Sequence, residues 1–276
     1  MNYRINLSRT LKYFTLAIMA LLTVIPVWLI LIGALKEEGE IYTNLLGLPK
    51  AVTFQNYISA WIEGNFGIYY KNSIILTIFT VIFTMLLSCL AAFALSRKDL
   101  FFRRIIYFVF VIGLTVPAQV ALMPLFMQIK SMGLYNTLSG VVIIFIGYRI
   151  AFTTFIIYSF MKNIPVEIEE SAKIDGCSIP NLFINIVLPL SKNVIGVGVI
   201  FNIVYAWNNF FFPLVFISNN NLKPLPTGLL AFKGENTVFF TKLFAGISII
   251  TIPIVLVYVI LQKYFVQGIT AGSIKG

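Results

Sequence analysis

The 276-residue chain contains no histidine, only two cysteines and only ten acidic residues. The first absence removes the HExxH metalloproteases, the Ser-His hydrolases and most zinc sites together. Cys89 lies in an apolar run and Cys177 in a polar stretch, too few and too differently placed for a disulfide framework. Charge is scarce as well: 11% of residues are charged, 59% are hydrophobic, and the mean hydropathy of +0.93 lies outside the usual globular range. The solvent for most of this chain is lipid. Twenty bases against ten acids give a net charge of +10, which in a soluble protein would raise the question of nucleic acid. Here the bases stand between apolar stretches, so the positive-inside rule accounts for them and no nucleic acid is implied.

A helix needs about 20 residues to cross a hydrocarbon core of about 30 Å, so intervals without charge can be tested against that length. Six qualify, with Arg149 the one charge inside them. They predict an all-α polytopic fold, a single transmembrane domain over 1–276, with spans near 13–35, 72–96, 105–129, 138–161, 193–217 and 243–263. Pro26, Pro117, Pro124 and Pro253 fall within these runs, where kinks are expected rather than breaks because neighbouring helices can satisfy the freed carbonyls. The first run, 23 residues without an A-x-A site after it, reads as a retained helix and not a signal peptide.

Alternate loops hold twelve and seven bases, and the densest group, from Arg97 to Arg104 beside Asp99, marks the inner side. Both termini are therefore expected in the cytoplasm, together with a polar connection over about 163–190. In that connection Pro165 suits a first helical turn, and Glu167, Glu169 and Glu170 complement the positive end of a helix dipole. Gly176 can end the helix in the left-handed conformation, and Ser178 before Ile179 and Pro180 reads as a cap and a new start. Ile164, Ile168 and Ala172 fall four apart, as do Phe183 and Val187, giving a helix-turn-helix with an apolar face lying against the membrane. Periodicity alone fits a solvated hairpin between two spans equally well.

Glu170-Ser171-Ala172, Asp175-Gly176 and Ile186-x-Leu188-Pro189 resemble the EAA signature of the permease subunits of ATP-binding cassette (ABC) importers. Ser171 stands where that family usually has alanine, a small-for-small change. The resemblance implies a type I importer permease fold and a loop that docks in a groove of a cytosolic ATPase. Other stretches resemble the carbohydrate, maltose-type branch: Asn72-Ser73, Val116 to Pro124, Met132 to Thr137, Trp207 to Pro213 and the tail from Gln262. The implied partners are a second permease forming a heterodimer, two ATPase subunits and an extracytoplasmic solute-binding protein, all at a bacterial cell membrane. No cofactor is expected on this chain, with ATP and magnesium on the ATPase.

Two other classes compete with this reading. A lipid-synthesising membrane enzyme would need clustered aspartates for magnesium, but Asp99 and Asp175 are the only two and lie in different loops. A secondary transporter or channel needs buried polar groups, yet no acid lies in any of the six runs to relay protons or sodium. A G-x-x-x-x-G-K-[ST] loop is also missing, so ATP must be hydrolysed elsewhere. Candidates for the solute path are Arg149, the charge inside a span, and Asn202, Tyr205, Asn208 and Asn209, which put amides and an aromatic face on the fifth run. For Arg149 the competing explanation is snorkelling to the outer headgroups. For Trp207 interfacial anchoring is favoured over solute contact.

Overall fold

The computed structural model describes residues 7–97, 102–117, 119–234 and 238–273. Arg4, Lys98, Asp99, Ala118 and Lys275, all within stretches used above, lie outside these. The chain divides into two compact units.

The first unit takes the described residues of Met1–Gly67 and Gly228–Ile252. It begins with α1 (Leu7–Gly33), which passes through Pro26 without interruption. Most large side chains of α1 are exposed, Leu11, Leu22 and Val24 among them, a surface that suits lipid and not water. Two short helices follow, α2 (Glu38–Thr43) and α3 (Gln55–Ile62). The turn after α1 is pinned by Lys36, fully buried, whose ammonium donates to the carbonyls of Asn44 and Leu45, and by Asn56, which donates to those of Ala34 and Lys36 at 2.9 and 2.7 Å. Glu38 accepts from the backbone of Phe240 and Thr241 at 2.8 and 3.1 Å, placing an acid at the positive end of the last helix. An exposed ion pair joins Lys242 to Glu63 at 2.5 Å and adds little stability.

The second unit takes the described residues of Ile68–Thr227 and Pro253–Gly276. It holds nearly all of α4 (Phe66–Ser96), then α5 (Arg103–Thr115), α6 (Leu122–Ser131) and α7 (Leu138–Met161). After these come α8 (Val166–Ile174), α9 (Ile179–Leu182), a π turn (Phe183–Val187), α10 (Leu188–Leu190) and α11 (Lys192–Asn208). The order closes with α12 (Phe211–Phe216), α13 (Leu225–Gly228) and the long α14 (Phe240–Ser273), which enters both units and contains Pro253. Among the described residues, apolar clusters form the core of this unit. One gathers Leu76, Phe145, Ala206, Phe212 and Phe216; a second gathers Met85, Cys89, Ile157, Met161, Leu182 and Val187.

Among the described residues, four helices are long and apolar enough to cross a membrane, at Leu11–Gly33, Phe66–Ser96, Leu138–Met161 and Phe240–Lys263. A fifth is obtained if Ile179–Leu190 and Lys192–Asn208, which meet at a bend of 78°, are counted as one. The expected span at 105–129 is not found as one helix: that stretch is divided between α5 and α6, neither of which is long enough alone. The expectation of a kink at Pro117 is corrected to a break: α5 ends at Thr115 and Val116 is extended, at φ −79° and ψ 115°. The proline ring disfavours the helical region for the preceding residue, and here Val116 is extended, whereas Ile25 before Pro26 and Ile252 before Pro253 stay helical; the next helix begins at Leu122. Pro124 then sits in the first turn of α6, where a missing N–H is harmless. The run at 193–217 likewise divides at Asn209.

Candidate functional site

The 163–190 segment folds as the helix-turn-helix its sequence predicts. Pro165 stands just before the first turn of α8, not within it, and Pro180 takes the first turn of α9. Gly176 has φ +79°, and the chain closes a Schellman turn there: Gly176 N donates to Lys173 O at 3.0 Å and Cys177 N to Ala172 O at 2.9 Å. Ser171 is accommodated by donating its hydroxyl to Glu167 O at 2.8 Å. Ser178 occupies the cap position of α9 without a side-chain hydrogen bond. Ile186 and Leu188 pack on the second core cluster, while Glu170, Asp175, Gly176 and Pro189 are exposed. The π turn ends with Leu188 N donating to Phe183 O, a widened loop just before Pro189, which has no N–H to continue an α ladder.

One face of α8 differs from the expected one. Ile164 and Ala172 are buried, but Ile168 is exposed, and Glu169 turns inward in its place. Glu169 Oε1 lies 2.6 Å from Arg97 Nη1, with the glutamate side chain only 8% exposed. The ion pair with this half-buried arginine, and not the apolar periodicity, matches the face that α8 buries at this turn. Burial lowers the Arg97 pKa from its ordinary value, and Glu169 opposes that shift. Glu170, the acid singled out by the motif, has no ion-pair partner among the described residues. The sequence offered a signal for Arg97 in its position just past a span, but the positive-inside rule absorbed it.

Within the apolar helices, Arg149 on α7 and Asn202 on α11 meet directly. Arg149 Nε donates to Asn202 Oδ1 at 3.0 Å, and the guanidinium lies over the rings of Phe152 and Tyr205 at 4.5 and 4.9 Å. The guanidinium thus lies between Phe152, on α7, and the side chains of Asn202 and Tyr205 on α11. Asn202, fully buried, donates through Nδ2 to Thr153 Oγ1 at 3.0 Å and to Gly198 O at 2.8 Å. Thr153 was not among the expected residues, although its place one turn after Arg149 put it on the same face. Tyr205 stacks on Tyr148 with centroids 5.6 Å apart. Tyr148 in turn lines a cavity of about 390 Å³ with Gly113, Pro117, Gln128 and Phe212.

Of the other candidates, Asn209 lies beside Tyr205 at the edge of this cluster, and Asn208 and Trp207 stand apart from it. Asn209 accepts from Phe212 N at 3.1 Å and starts α12, Asn208 is exposed, and Trp207 is buried edge-on to Tyr70. The remaining motif residues hold turns at the ends of helices. Asn72 donates to Asn221 O and Lys223 O at 2.9 and 3.0 Å, and Ser73 accepts from Leu225 N. Asn136, at φ +59°, accepts from Ser218 N and Asn219 N, and Thr137 caps α7 by accepting from Gly140 N.

Helices of this length and apolarity, a helix-turn-helix between two of them and a polar cluster inside them define a multi-pass membrane protein of the transporter class. The chain belongs to the family of binding-protein-dependent transport system inner membrane components, the permeases of ABC importers, whose pattern matches residues 84–271. It is 35% identical to the probable ABC transporter permease YurM of Bacillus subtilis, covering 90% of this chain and 82% of that protein. It is 30% identical to the diacetylchitobiose uptake system permease NgcG of Streptomyces coelicolor, covering 96% and 88%. The fold matches that of a chain in the crystal structure of a bacterial ABC transporter involved in alginate import, with a TM-score of 0.85 over 96% of this chain and 99% of that one, at 22% identity.

Proposed function

We propose that this permease passes a sugar or oligosaccharide, handed over by an extracytoplasmic binding protein, along a path bordered by Arg149, Asn202 and Tyr205. The observation that carries the reading is the pairing of an amide and a guanidinium with aromatic faces inside otherwise apolar helices. Hydroxyl groups bond to the guanidinium, whose Nη2 has no hydrogen-bond partner among the described residues and which the fully buried Asn202 holds in place, and the C–H faces of a pyranose lie on Tyr205. The substrate named for the Streptomyces relative supports the same class.

The working assembly is a heterodimer of this chain with a second permease, joined by two ATPase subunits that hold ATP and magnesium, in a bacterial cell membrane. This chain holds no nucleotide. The 163–190 loop stands in the cytoplasm, as do both termini, and docks on an ATPase through Glu170 to Pro189. Ile174 and Ile179, 86% and 67% exposed, support this, because such side chains favour a covering partner over water.

Two experiments test these statements. Proteoliposomes holding the complete complex should accumulate a labelled oligosaccharide from a panel when ATP is inside and loaded receptor outside. Robust uptake by this chain alone would contradict the assembly. In intact cells an impermeant maleimide should label Asn220→Cys and spare native Cys177, which should react in inverted vesicles stripped of ATPase. The reverse pattern would place the loop outside and end the importer reading.

A further inference from the structure

Arg97, the first residue after α4, binds several elements of the second unit at once. Its guanidinium pairs with Glu169 on α8 and lies 4.7 Å over the ring of Phe93. Phe93 packs at 4.9 Å against Phe183 of the π turn, in the second half of the loop. The Arg97 carbonyl accepts from Arg103 Nη1 at 3.2 Å, at the start of α5. Arg97 Nε and Nη2 are buried and have no hydrogen-bond partner among the described residues.

A buried ion pair is a weak source of net stability, because desolvation offsets the Coulomb gain, and the unpaired nitrogens make this one weaker still. Separating the charges is nevertheless costly, since each would be left buried and alone. The pair therefore suits a constraint on position better than a contribution to stability. The helix it constrains is continuous for 31 residues from Phe66 to Ser96, so a displacement at its inner end is delivered along its whole length.

We propose that Arg97 and Glu169 form a strut, a positioning pair that transmits displacement of the 163–190 loop into α4. The ATPase then drives the helix through α8. The inference rests on the reading of the loop as the ATPase-docking element, and its failure can be told from the failure of that reading.

The test uses the full complex in nanodiscs, with Arg97→Gln, Glu169→Gln and the reversal Arg97→Glu/Glu169→Arg. The measurements are the ratio of receptor-stimulated to basal ATP hydrolysis, solute uptake, and recovery of ATPase chains in a pull-down. Each single variant should keep its ATPase chains while the ratio falls about tenfold, within the usual range of coupling between sites. The reversed pair should recover at least half of the ratio, which a purely structural loss would not do. Wild-type ratios in the single variants overturn the strut, and so does parallel loss of assembly and hydrolysis with no recovery on reversal. Glu169→Gln alters charge without shape, so it decides the matter if Arg97→Gln fails to insert. A wild-type complex that receptor does not stimulate would count against the importer assembly itself, before any variant is made.

Discussion

Gly176→Val should insert at wild-type level and lose receptor-stimulated hydrolysis by about tenfold or more, through a loop that no longer presents its docking face. At φ +79° the backbone occupies the left-handed region, which costs a side chain with a Cβ about 1–2 kcal/mol and is an outlier for a β-branched one. A Cβ added there meets no atom within 4 Å, so within this chain the cost is conformational and not steric. That separates the substitutions by mechanism. Gly176→Asn should be mild, because asparagine visits this region; Gly176→Ala should be intermediate and Gly176→Val severe. Relaxing the strain means opening the Schellman turn made by Gly176 N and Cys177 N, which sets the angle between α8 and α9. At the exposed Glu170, Lys should be worse than Gln, as expected of an acid facing a base on the ATPase. The measurements are a pull-down for assembly and hydrolysis with and without loaded receptor. If Gly176→Val assembles, hydrolyses and transports as wild type, the loop is a plain connector.

The second large effect is expected at Asn202. Asn202→Leu keeps the branched shape of the side chain but removes the acceptor for Arg149 Nε, leaving the guanidinium with ring faces alone. Losing an acceptor from a buried charge costs about 1.5–3 kcal/mol, enough to lower the melting temperature in detergent by about 4–8 °C. Uptake should fall about tenfold or more, because the guanidinium offered to a hydroxyl-rich solute is no longer held in place by the amide. The combination with Arg149→Leu distinguishes a structural role from a transport role. Removing both partners leaves no orphaned charge, so stability should return towards wild type while uptake stays lost. Should uptake recover along with the melting temperature, the cluster is internal packing and the solute passes elsewhere.

Much of this protein was legible in local chemistry. The helix-turn-helix followed from Pro165, Gly176 and Pro180, residues whose backbone restrictions act wherever they stand in a fold. The fourth expected span coincides with α7 at both ends, because Thr137 caps one end and polar residues close the other. Asn72 and Asn136 were visible as motif residues, but their task was not. Each bonds to backbone more than 80 residues away, and no local rule reports such a partner.

Apolarity by itself determined that the chain crosses a membrane, since length and hydropathy are sums over neighbouring residues. It did not determine continuity: at 105–129 the local rule at Pro117 prevailed over an apolar run that would otherwise have carried one helix across. Side-chain pairing was left to the tertiary structure. Glu169 and Glu170 are adjacent and chemically identical, and only the place of Arg97 past the end of α4 decides that one is buried and paired while the other faces outward. Arg149 likewise acquires its meaning from Asn202, 53 positions along the chain. A charge in an apolar medium is held by whichever polar group the packing brings within about 3 Å, and packing is a property of the whole fold.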